Sequence, residues 1–207
     1  MEIVLSTAYL PPLQYLQKIV NCNKVYLEKH ENYIKQSYRN RCSILAANGV
    51  LDLSIPLQKL SDKEKICDKK ISYHSNWQQV HWRSIESAYR NSPYFDFFED
   101  GFRLFYEKQF VYLFDFNLEL LSLVFKILRI NPSIHFTEKY EAHLSSAIDF
   151  RSKINPKYNF MSDPDYLNKA YYQVFADKHG FTPNLSIIDV LFNEGKQAKE
   201  ILLLPSL

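Results

Sequence analysis

The sequence predicts an α/β fold, in which a small, Rossmann-like, largely parallel sheet carries an added β-hairpin and a helical cover. Three observations lead to this class. Strand-like, helical and strand-like segments follow one another at 3–6, 13–20 and 24–28. An Asn-Gly pair then joins two further strand-like runs. Finally, apolar residues recur at helical spacing between 77 and 130, which predicts helices that cover the sheet.

The first 28 residues predict a parallel βαβ unit. Pro11 and Pro12 open the helix, since proline fits the first turn. A strand, a helix and a strand in so short a chain form a right-handed crossover between parallel strands. Ligands bind outside the carboxyl ends of such strands, so we expect residues 6–9 to lie beside Glu28, His30 and Glu31. The loop after the first strand has no glycine, which excludes a dinucleotide or P-loop fingerprint.

A hairpin is predicted over the apolar runs 42–47 and 50–57, with Asn48 and Gly49 as its turn. Both turn residues tolerate a positive φ, which a two-residue hairpin turn requires. Apolar and polar residues alternate along the second run, as in a strand with one buried face. We expect this hairpin to extend the parallel sheet.

The rest of the chain divides at its turn and capping residues. Asn76 caps one predicted helix, Ser92-Pro93 starts the next, and Gly195 ends a later one. The charged stretch 60–70 predicts an exposed loop or short surface helix, and 149–169 a mobile surface segment that could act as a lid. The other predicted elements are helices at 77–89, 93–106, 110–130, 185–192 and 196–204 and strands at 70–74, 134–137 and 171–176.

Length and composition predict a single domain over 1–207. Within it we expect a β-rich N-terminal part (1–75), a helical cover (76–131) and a C-terminal α/β part (132–207). A net charge of +2 is too small to indicate bulk binding of nucleic acid or membrane. Three cysteines make an odd number and form no zinc pattern, which favours reduced thiols and a cytoplasmic location. The apolar stretch 110–130 carries charged residues and predicts a buried helix rather than a membrane span. The N-terminus has no basic region of the kind found in signal peptides.

Arg39 and Arg41 are the first candidates for binding a substrate. Two guanidinium groups at i and i+2 of a strand point to one face, and each can bind a phosphate or carboxylate in a fork. Tyr9 and Asn40 are expected to orient the substrate beside them. The alternative is structural, with both arginines paired to Glu28, Glu31 or Asp52.

Glu28 and His30 are the candidate catalytic residues. A histidine beside carboxylates can act as a general base, whereas the alternative is a solvated turn. The pair His74 and His81 lacks a third metal ligand, so no metal site is predicted, and His81 is expected to pack beside Trp77. The binding role predicted for that helix is the stacking of a sugar on Trp77.

Ser186, Asp189 and Asn193 share one face of an otherwise apolar helix. Amphipathicity favours a solvated face over a polar patch turned to the crevice. No nucleophile with a neighbouring base, Walker motif or HExxH motif is found. The residues therefore indicate no cofactor and no reaction type, and they set no oligomeric state.

Several pieces in a fixed order resemble the WbqC-like family. They are YLPP at 9–12, YRNR at 38–41 with IP at 55–56, the helix bearing Trp77 and His81, SPYF at 92–95 and PNLSIIDVLFNEG at 183–195. The resemblance implies a cytoplasmic step in making or modifying a bacterial surface-glycan or O-antigen sugar. It also adds Asn184 and Asp189 to the substrate-binding candidates.

Two departures from the family pattern concern activity. Longer members end the first strand in His-Gln-Pro, where this chain has Ser6, Thr7 and Ala8. They also carry a glycine-containing segment, YLSGxGxxxYL, which is missing from 149–169 here. The hypothesis is an enzyme that transfers an acyl-type group onto a nucleotide-activated or phosphorylated amino sugar. The alternatives are a non-catalytic module that binds a glycan or a partner, and a nucleotidyltransferase-like enzyme. The ligand expected in each enzyme case is a small sugar or sugar nucleotide, without nucleic acid or membrane insertion.

Overall fold

The computed structural model describes residues 1–59, 64–142 and 147–204, and it has the predicted α/β architecture. The strands are β1 (Glu2–Ser6), β2 (Lys24–Glu28), β3 (Arg41–Ala46), β4 (Gly49–Ser54), β5 (Ile134–Phe136) and β6 (Ile148–Asp149). The helices are α1 (Leu13–Val20), α2 (Trp77–Tyr89), α3 (Phe95–Glu107), α4 (Leu113–Leu128), α5 (Ala176–His179), α6 (Ile187–Glu194) and α7 (Ala198–Leu202). Short 3₁₀ turns lie at Ile66–Asp68, Phe160–Ser162 and Gly195–Gln197.

A four-stranded sheet in the order β5-β2-β1-β6 lies at the centre, and each of its strand pairs is parallel. In the first βαβ unit, α1 and β2 have the predicted bounds and β1 begins one residue earlier than predicted, with Ser6 directly opposite Glu28. The flanking strands are contributed from far along the chain. Because all four strands run the same way, their carboxyl ends meet at one edge.

The hairpin β3–β4 forms a separate two-stranded sheet. The expectation that it extends the parallel sheet is therefore wrong, since β3 packs against α2 and α6 instead. Ala46 pairs with Gly49, so the loop consists of Ala47 and Asn48, one residue earlier than predicted. Gly49 takes the positive φ, +107°, that the turn requires.

The three helices α2, α3 and α4 pack on one another and cover the core as predicted. Buried aromatic side chains fill the contact between α3 and α6: Phe95 and Phe102 of α3 lie against Phe192 of α6, with ring centroids 5.1 and 5.4 Å away. Gly195 ends α6 with φ +58°, and a Cβ there would lie 2.6 Å from the ring of Tyr94. No helix in the described part of the chain is long and apolar enough to cross a bilayer.

Three predicted elements are corrected. The predicted strand 70–74 is reduced to two isolated bridges, Lys70 with Tyr112 and Ile71 with Leu57. The segment 171–176 forms no strand, and the Gln173 side chain within it instead bonds both backbone groups of Thr182. The supposedly surface segment 149–169 begins inside β6 of the central sheet.

Smaller differences concern the ends of elements. The last helix is shorter than predicted and follows a 3₁₀ turn. The charged stretch 60–70 contains a 3₁₀ turn at Ile66–Asp68, while residues 60–63 lie outside the described residues. Ser92 does not cap α3, because its hydroxyl donates to the carbonyl of Tyr89.

Candidate functional site

Charged side chains converge at the carboxyl edge of the parallel sheet. Glu28 ends β2, Glu31 follows it, and Arg151 follows β6. Arg39 reaches the same edge from the connection between β2 and β3. All four side chains are buried. We call them, together with Asp149, the strand-end cluster.

The first half of the cluster is the pair Arg39–Glu31. Nε and Nη2 of Arg39 donate to the two carboxylate oxygens of Glu31 at 2.9 and 2.6 Å. Nη2 also donates to the Ser6 hydroxyl at 2.6 Å, at the end of β1. This fork fixes the guanidinium plane, because two parallel bonds leave it no rotation. Ser6 and Glu31 therefore meet, as predicted for the strand ends.

The second half is the pair Arg151–Glu28. Nη1 of Arg151 lies 2.9 Å from Oε2 of Glu28, which is fully buried. Oε1 of Glu28 accepts from the Thr137 hydroxyl at 2.8 Å and from the backbone N–H of His30 at 2.7 Å. Arg151 also donates to both oxygens of Asp149, at 3.0 and 2.6 Å. Glu28 thus has both oxygens occupied.

The electrostatics of the cluster are those of opposite charges held together. Burial acts to raise the pKa of Asp149, but the hydrogen bonds and charge of Arg151 outweigh it and place that pKa below its usual range. The same hydrogen bonds raise the pKa of Arg151. Three carboxylates face two guanidinium groups. Buried ion pairs seldom add net stability, because desolvation offsets their attraction. Such a cluster at a strand-end edge is therefore a functional-site candidate.

One guanidinium nitrogen of the cluster is left over. Nη1 of Arg39 makes no hydrogen bond to any residue in the described ranges. Arg39 lines a cleft of about 10 Å³ at the end of β1, together with Ser6, Thr7 and Ala8. That volume holds roughly one water-sized group. The cleft can therefore accept one oxygen of a ligand beside a fixed cationic donor.

A larger cavity of about 460 Å³ adjoins the cleft. Phe150 is a wall residue of both spaces. Drug-sized ligands and cofactors bind in cavities of roughly 300–1,000 Å³. Within the described ranges, no three His, Cys, Asp or Glu side chains are grouped to hold a metal ion.

Comparison with known proteins identifies the family. The model described as "WbqC-like protein family" matches residues 7–158 and 151–201, which include every charged member of the strand-end cluster. The chain belongs to this family. A curated relative, "Uncharacterized protein Rv1507c" of Mycobacterium tuberculosis (strain ATCC 25618 / H37Rv), is 25% identical over 96% of each chain. No solved structure matches the chain.

The predicted arginine pair is divided in this WbqC-like structure. Arg39 joins the strand-end cluster, whereas Arg41 lies on the hairpin, 3.6 Å from Asp52 and bonded to the Ser54 hydroxyl. They do not share a face because Arg39 precedes β3 and is turned toward Glu31. Asn40 bonds the Tyr33 hydroxyl and the carbonyl of Ile55, and so fastens the start of the hairpin. Substrate binding by Arg41 and Asn40 stays a prediction.

His30 and Glu28 lie together as expected, through the backbone N–H of His30. Nε2 of His30 is buried and has no partner among the described residues. Of the two candidate bases, His30 is therefore the one with a side-chain atom that still lacks a partner in the described ranges. Glu28, by contrast, is occupied by Arg151 and Thr137.

Tyr9 and Trp77 lie in the aromatic core rather than on an open surface. The Tyr9 hydroxyl bonds the Tyr106 hydroxyl at 2.7 Å and Nδ1 of His81 at 3.0 Å. His81 packs against Trp77, with ring centroids 5.1 Å apart, which confirms its expected core position. Burial lowers the pKa of His81 to about 4. A substrate contact of Tyr9 or Trp77 stays a prediction that needs the core to open.

Asn184 and Asp189 belong to a different part of the molecule. Asn184 has φ +54°, and its side-chain oxygen accepts the backbone N–H of Gln14 in the first turn of α1. Asp189 accepts from the hydroxyls of Tyr89 and Tyr171. The expectation of a solvated face is wrong, because the three polar residues of that face are buried among such partners: Ser186, Asp189 and Asn193. Substrate contacts of Asn184 and Asp189 stay predictions.

Sequence reasoning missed Arg151, Asp149 and Thr137. The first two lie in a polar stretch that reads as a surface segment, and β6 is only two residues long. The alternation of Asp149 and Arg151 about an apolar Phe150 is the one local pattern that could have indicated a strand end there.

Proposed function

We propose that the protein is an enzyme of bacterial surface-glycan biosynthesis that transfers an acyl-type group onto a phosphorylated or nucleotide-activated amino sugar in the cytoplasm. The observation that carries the proposal is the Arg39 guanidinium, which lines a cleft at the carboxyl edge of a parallel sheet and whose Nη1 bonds no residue in the described ranges. The glycan context rests on the resemblance to a family associated with surface-glycan gene clusters.

Arg39 is suited to hold the anionic group of such a substrate. Glu31 and Ser6 occupy its Nε and Nη2, so the guanidinium stays in place when the substrate is absent. Nη1 then donates to one phosphate oxygen, a charge-assisted bond stronger than a neutral one. Arginine suits this task because it stays charged at every physiological pH.

His30 is the proposed general base. In acyl transfer from a thioester, the amine nitrogen of the sugar attacks the acyl carbon, the C–N bond forms and the C–S bond breaks. The amine loses a proton, which Nε2 of His30 accepts once a side-chain movement exposes this buried nitrogen, and the thiolate leaves. Glu28 positions His30 by accepting its backbone N–H, and Arg151 and Thr137 hold Glu28 in turn.

The test is a thermal-shift and calorimetric screen. The panel contains hexosamine 1-phosphates, nucleotide sugars, nucleoside triphosphates, acyl thioesters and inorganic phosphate. A ligand at one hundred times its Kd adds about 2.7 kcal/mol of stability. We expect a phosphorylated amino sugar to shift the melting temperature, and Arg39→Lys to abolish the shift, because lysine keeps the charge beside Glu31 but supplies no Nη1.

Arg103→Lys is the matched control, since it makes the same replacement at an exposed position of α3 that lines neither space. It should bind as the unchanged protein does. Equal binding by Arg39→Lys, or no shift with any phosphorylated ligand, would contradict the proposal.

A non-catalytic glycan-binding module is the second candidate. One observation favours it: every carboxylate oxygen of Glu28 and Glu31 already accepts a hydrogen bond, as in a scaffold. Mass spectrometry of the amino sugar after incubation with an acyl thioester separates the two. Acylation that is lost in His30→Ala, with binding retained, supports the enzyme, whereas binding without acylation supports the module.

A further inference from the structure

We infer that the 460 Å³ cavity beside the cleft is a subsite for an uncharged sugar ring. We call it the α1 cavity, because it lies between α1 and the segment 148–165. Its wall includes Gln14, Phe150, Lys153, Tyr158, Asp163 and Asp165. The inference deepens the proposed function and rests on it for the position of the phosphate at Arg39.

The position of the cavity fits one ligand spanning two spaces. Phe150 separates the cavity from the cleft and lines both. The cleft itself has room for about one small group, so the rest of the ligand must lie outside it. The α1 cavity is the adjoining space that can hold a ring.

An aromatic wall favours a sugar. The side chain of Tyr158 is 61% exposed, and its hydroxyl bonds no residue in the described ranges. The face of an aromatic ring carries partial negative charge, which attracts the weakly positive C–H groups on the flat side of a sugar. A large exposed aromatic at a cavity wall is therefore available for stacking.

A buried amide supplies a directed polar contact. Gln14 is only 4% exposed, and its Nε2 donates to Oδ2 of Asp163 at 2.7 Å. A carboxylate only accepts, so this bond fixes which end of the amide faces Asp163. Oε1 of Gln14 has no partner among the described residues, and Gln14 lines the cavity. It can accept a hydrogen bond from a sugar hydroxyl.

The charges of the cavity balance, which favours a neutral ring over a second phosphate. Lys18, buried behind the wall, lies 2.8 Å from Asp163 and 3.3 Å from Asp165. Lys153 places its ammonium group 5.5 Å from the centre of the Phe150 ring. Two ammonium groups thus accompany two carboxylates. The site has no excess positive charge of the kind that attracts phosphate.

The test compares three ligands by calorimetry: an N-acetylhexosamine, its 1-phosphate and inorganic phosphate. Tyr158→Ala should weaken binding of both sugars about tenfold, the order expected when an aromatic contact is lost. It should leave binding of inorganic phosphate unchanged. Tyr172→Ala is the matched control, because Tyr172 is 56% exposed and lines neither space.

A second variant addresses the amide. Gln14→Met removes Oε1 and should also reduce the preference for the sugar phosphate over inorganic phosphate. Sugar affinities that stay unchanged in both variants, or failure of both sugars to bind the unchanged protein, would overturn the inference. If the sugar affinities stay unchanged in both variants, loss of phosphate binding in Arg39→Lys would still support the proposed function. Conversely, a neutral sugar that binds through Tyr158 when no phosphate binds would support the subsite and contradict the anion site.

Discussion

Two carboxylates in two regions of this protein have different partners: the Asp149 side chain is 35% exposed, whereas Asp189 is buried. In the strand-end cluster, Asp149 meets the guanidinium of Arg151, and its pKa lies below the usual range although burial acts to raise it. On α6, Asp189 meets only neutral donors, from Tyr89, Tyr171 and Gln173. Burial there outweighs the three hydrogen bonds and raises the pKa of Asp189 to about 6.

The difference distinguishes a candidate binding site, the strand-end cluster, from a structural contact, the Asp189 network. Neutral donors satisfy Asp189 completely and tie the 171–173 segment to α2 and α6, so nothing is left for a ligand. The strand-end cluster is held by charges, and one of its cationic nitrogens, Nη1 of Arg39, still lacks a partner among the described residues. A fixed charge with a free donor is what an anionic substrate requires.

The largest expected effect comes from breaking a charged pair. Arg39→Met leaves the buried Glu31 carboxylate without its cation, so we expect a loss of about 3–5 kcal/mol in the free energy of unfolding. Urea denaturation measures it. Adding Glu31→Gln to that variant should recover much of the loss. If the single variant lost under 1 kcal/mol, the pairing would not be the internal ion pair that the comparison assumes.

The second effect is the pH dependence of Asp189. Its pKa is higher in the folded chain, about 6, than in the unfolded chain, about 3.9, so the folded state binds the proton more tightly. Stability from this group is therefore present below pH 4 and falls as the pH rises to about 6. Relative to Asp189→Asn, the unfolding free energy of the unchanged protein should fall by about 2 kcal/mol between pH 4 and 7.

That measurement has an internal contrast. Asp149 has a lowered pKa, so its contribution is lost as the pH falls, which is the opposite direction. Subtracting the Asp189→Asn curve removes the contribution of Asp149 and of every other group that both proteins share. A flat difference curve would show that Asp189 does not titrate in this range.

A smaller effect is expected from one neutral donor. Tyr171→Phe removes a hydroxyl that lies 2.7 Å from Asp189, and we expect a loss of about 1–3 kcal/mol at pH 7, as for hydrogen bonds to charged groups. Tyr172→Phe, its exposed neighbour, should change stability by less than about 0.5 kcal/mol. Thermal unfolding of the two variants provides the comparison. Equal losses would contradict the assignment of Tyr171 to the Asp189 network.

The smallest effect is expected at Arg41. Its side chain is 32% exposed and its partner Asp52 is 50% exposed, with 3.6 Å between the charged atoms. Solvent screens such a pair, so Arg41→Ala should cost under about 1 kcal/mol. A loss as large as that of Arg39→Met, measured in the same urea experiment, would remove the distinction between the two arginines.

Local patterns predicted the elements whose ends depend on nearby residues. The bounds of α1, β2 and α2 agree with the predicted 13–20, 24–28 and 77–89, because prolines and apolar spacing act within a few residues. The predicted cap is wrong, since the Asn76 side chain makes no capping hydrogen bond to α2. The strand expected at 171–176 failed for the opposite reason. The Gln173 side chain there bonds the backbone N–H and carbonyl of Thr182, a contact that no strand propensity describes.

The candidate site was predicted in part. Glu28, Glu31, His30 and the residues after β1 were placed together by one rule, that parallel strands end at a common edge. Arg151 was missed because it lies 123 residues from Glu28 along the chain. The α6 face was misassigned for a related reason, since amphipathic spacing shows that a face is polar but not that buried tyrosines will bond it.

Local patterns of the sequence predicted the α/β class, the parallel βαβ unit and the hairpin, because backbone preferences and hydrophobic periodicity act over a few residues. The pairing of charges depends instead on the folded chain. Folding brings Arg39 to Glu31, Arg41 to Asp52 and Arg151 to Glu28, and it leaves Nη1 of Arg39 without a partner among the described residues. A charged side chain is compatible with many neighbours in sequence, whereas burial allows it only the partner that the packed fold provides.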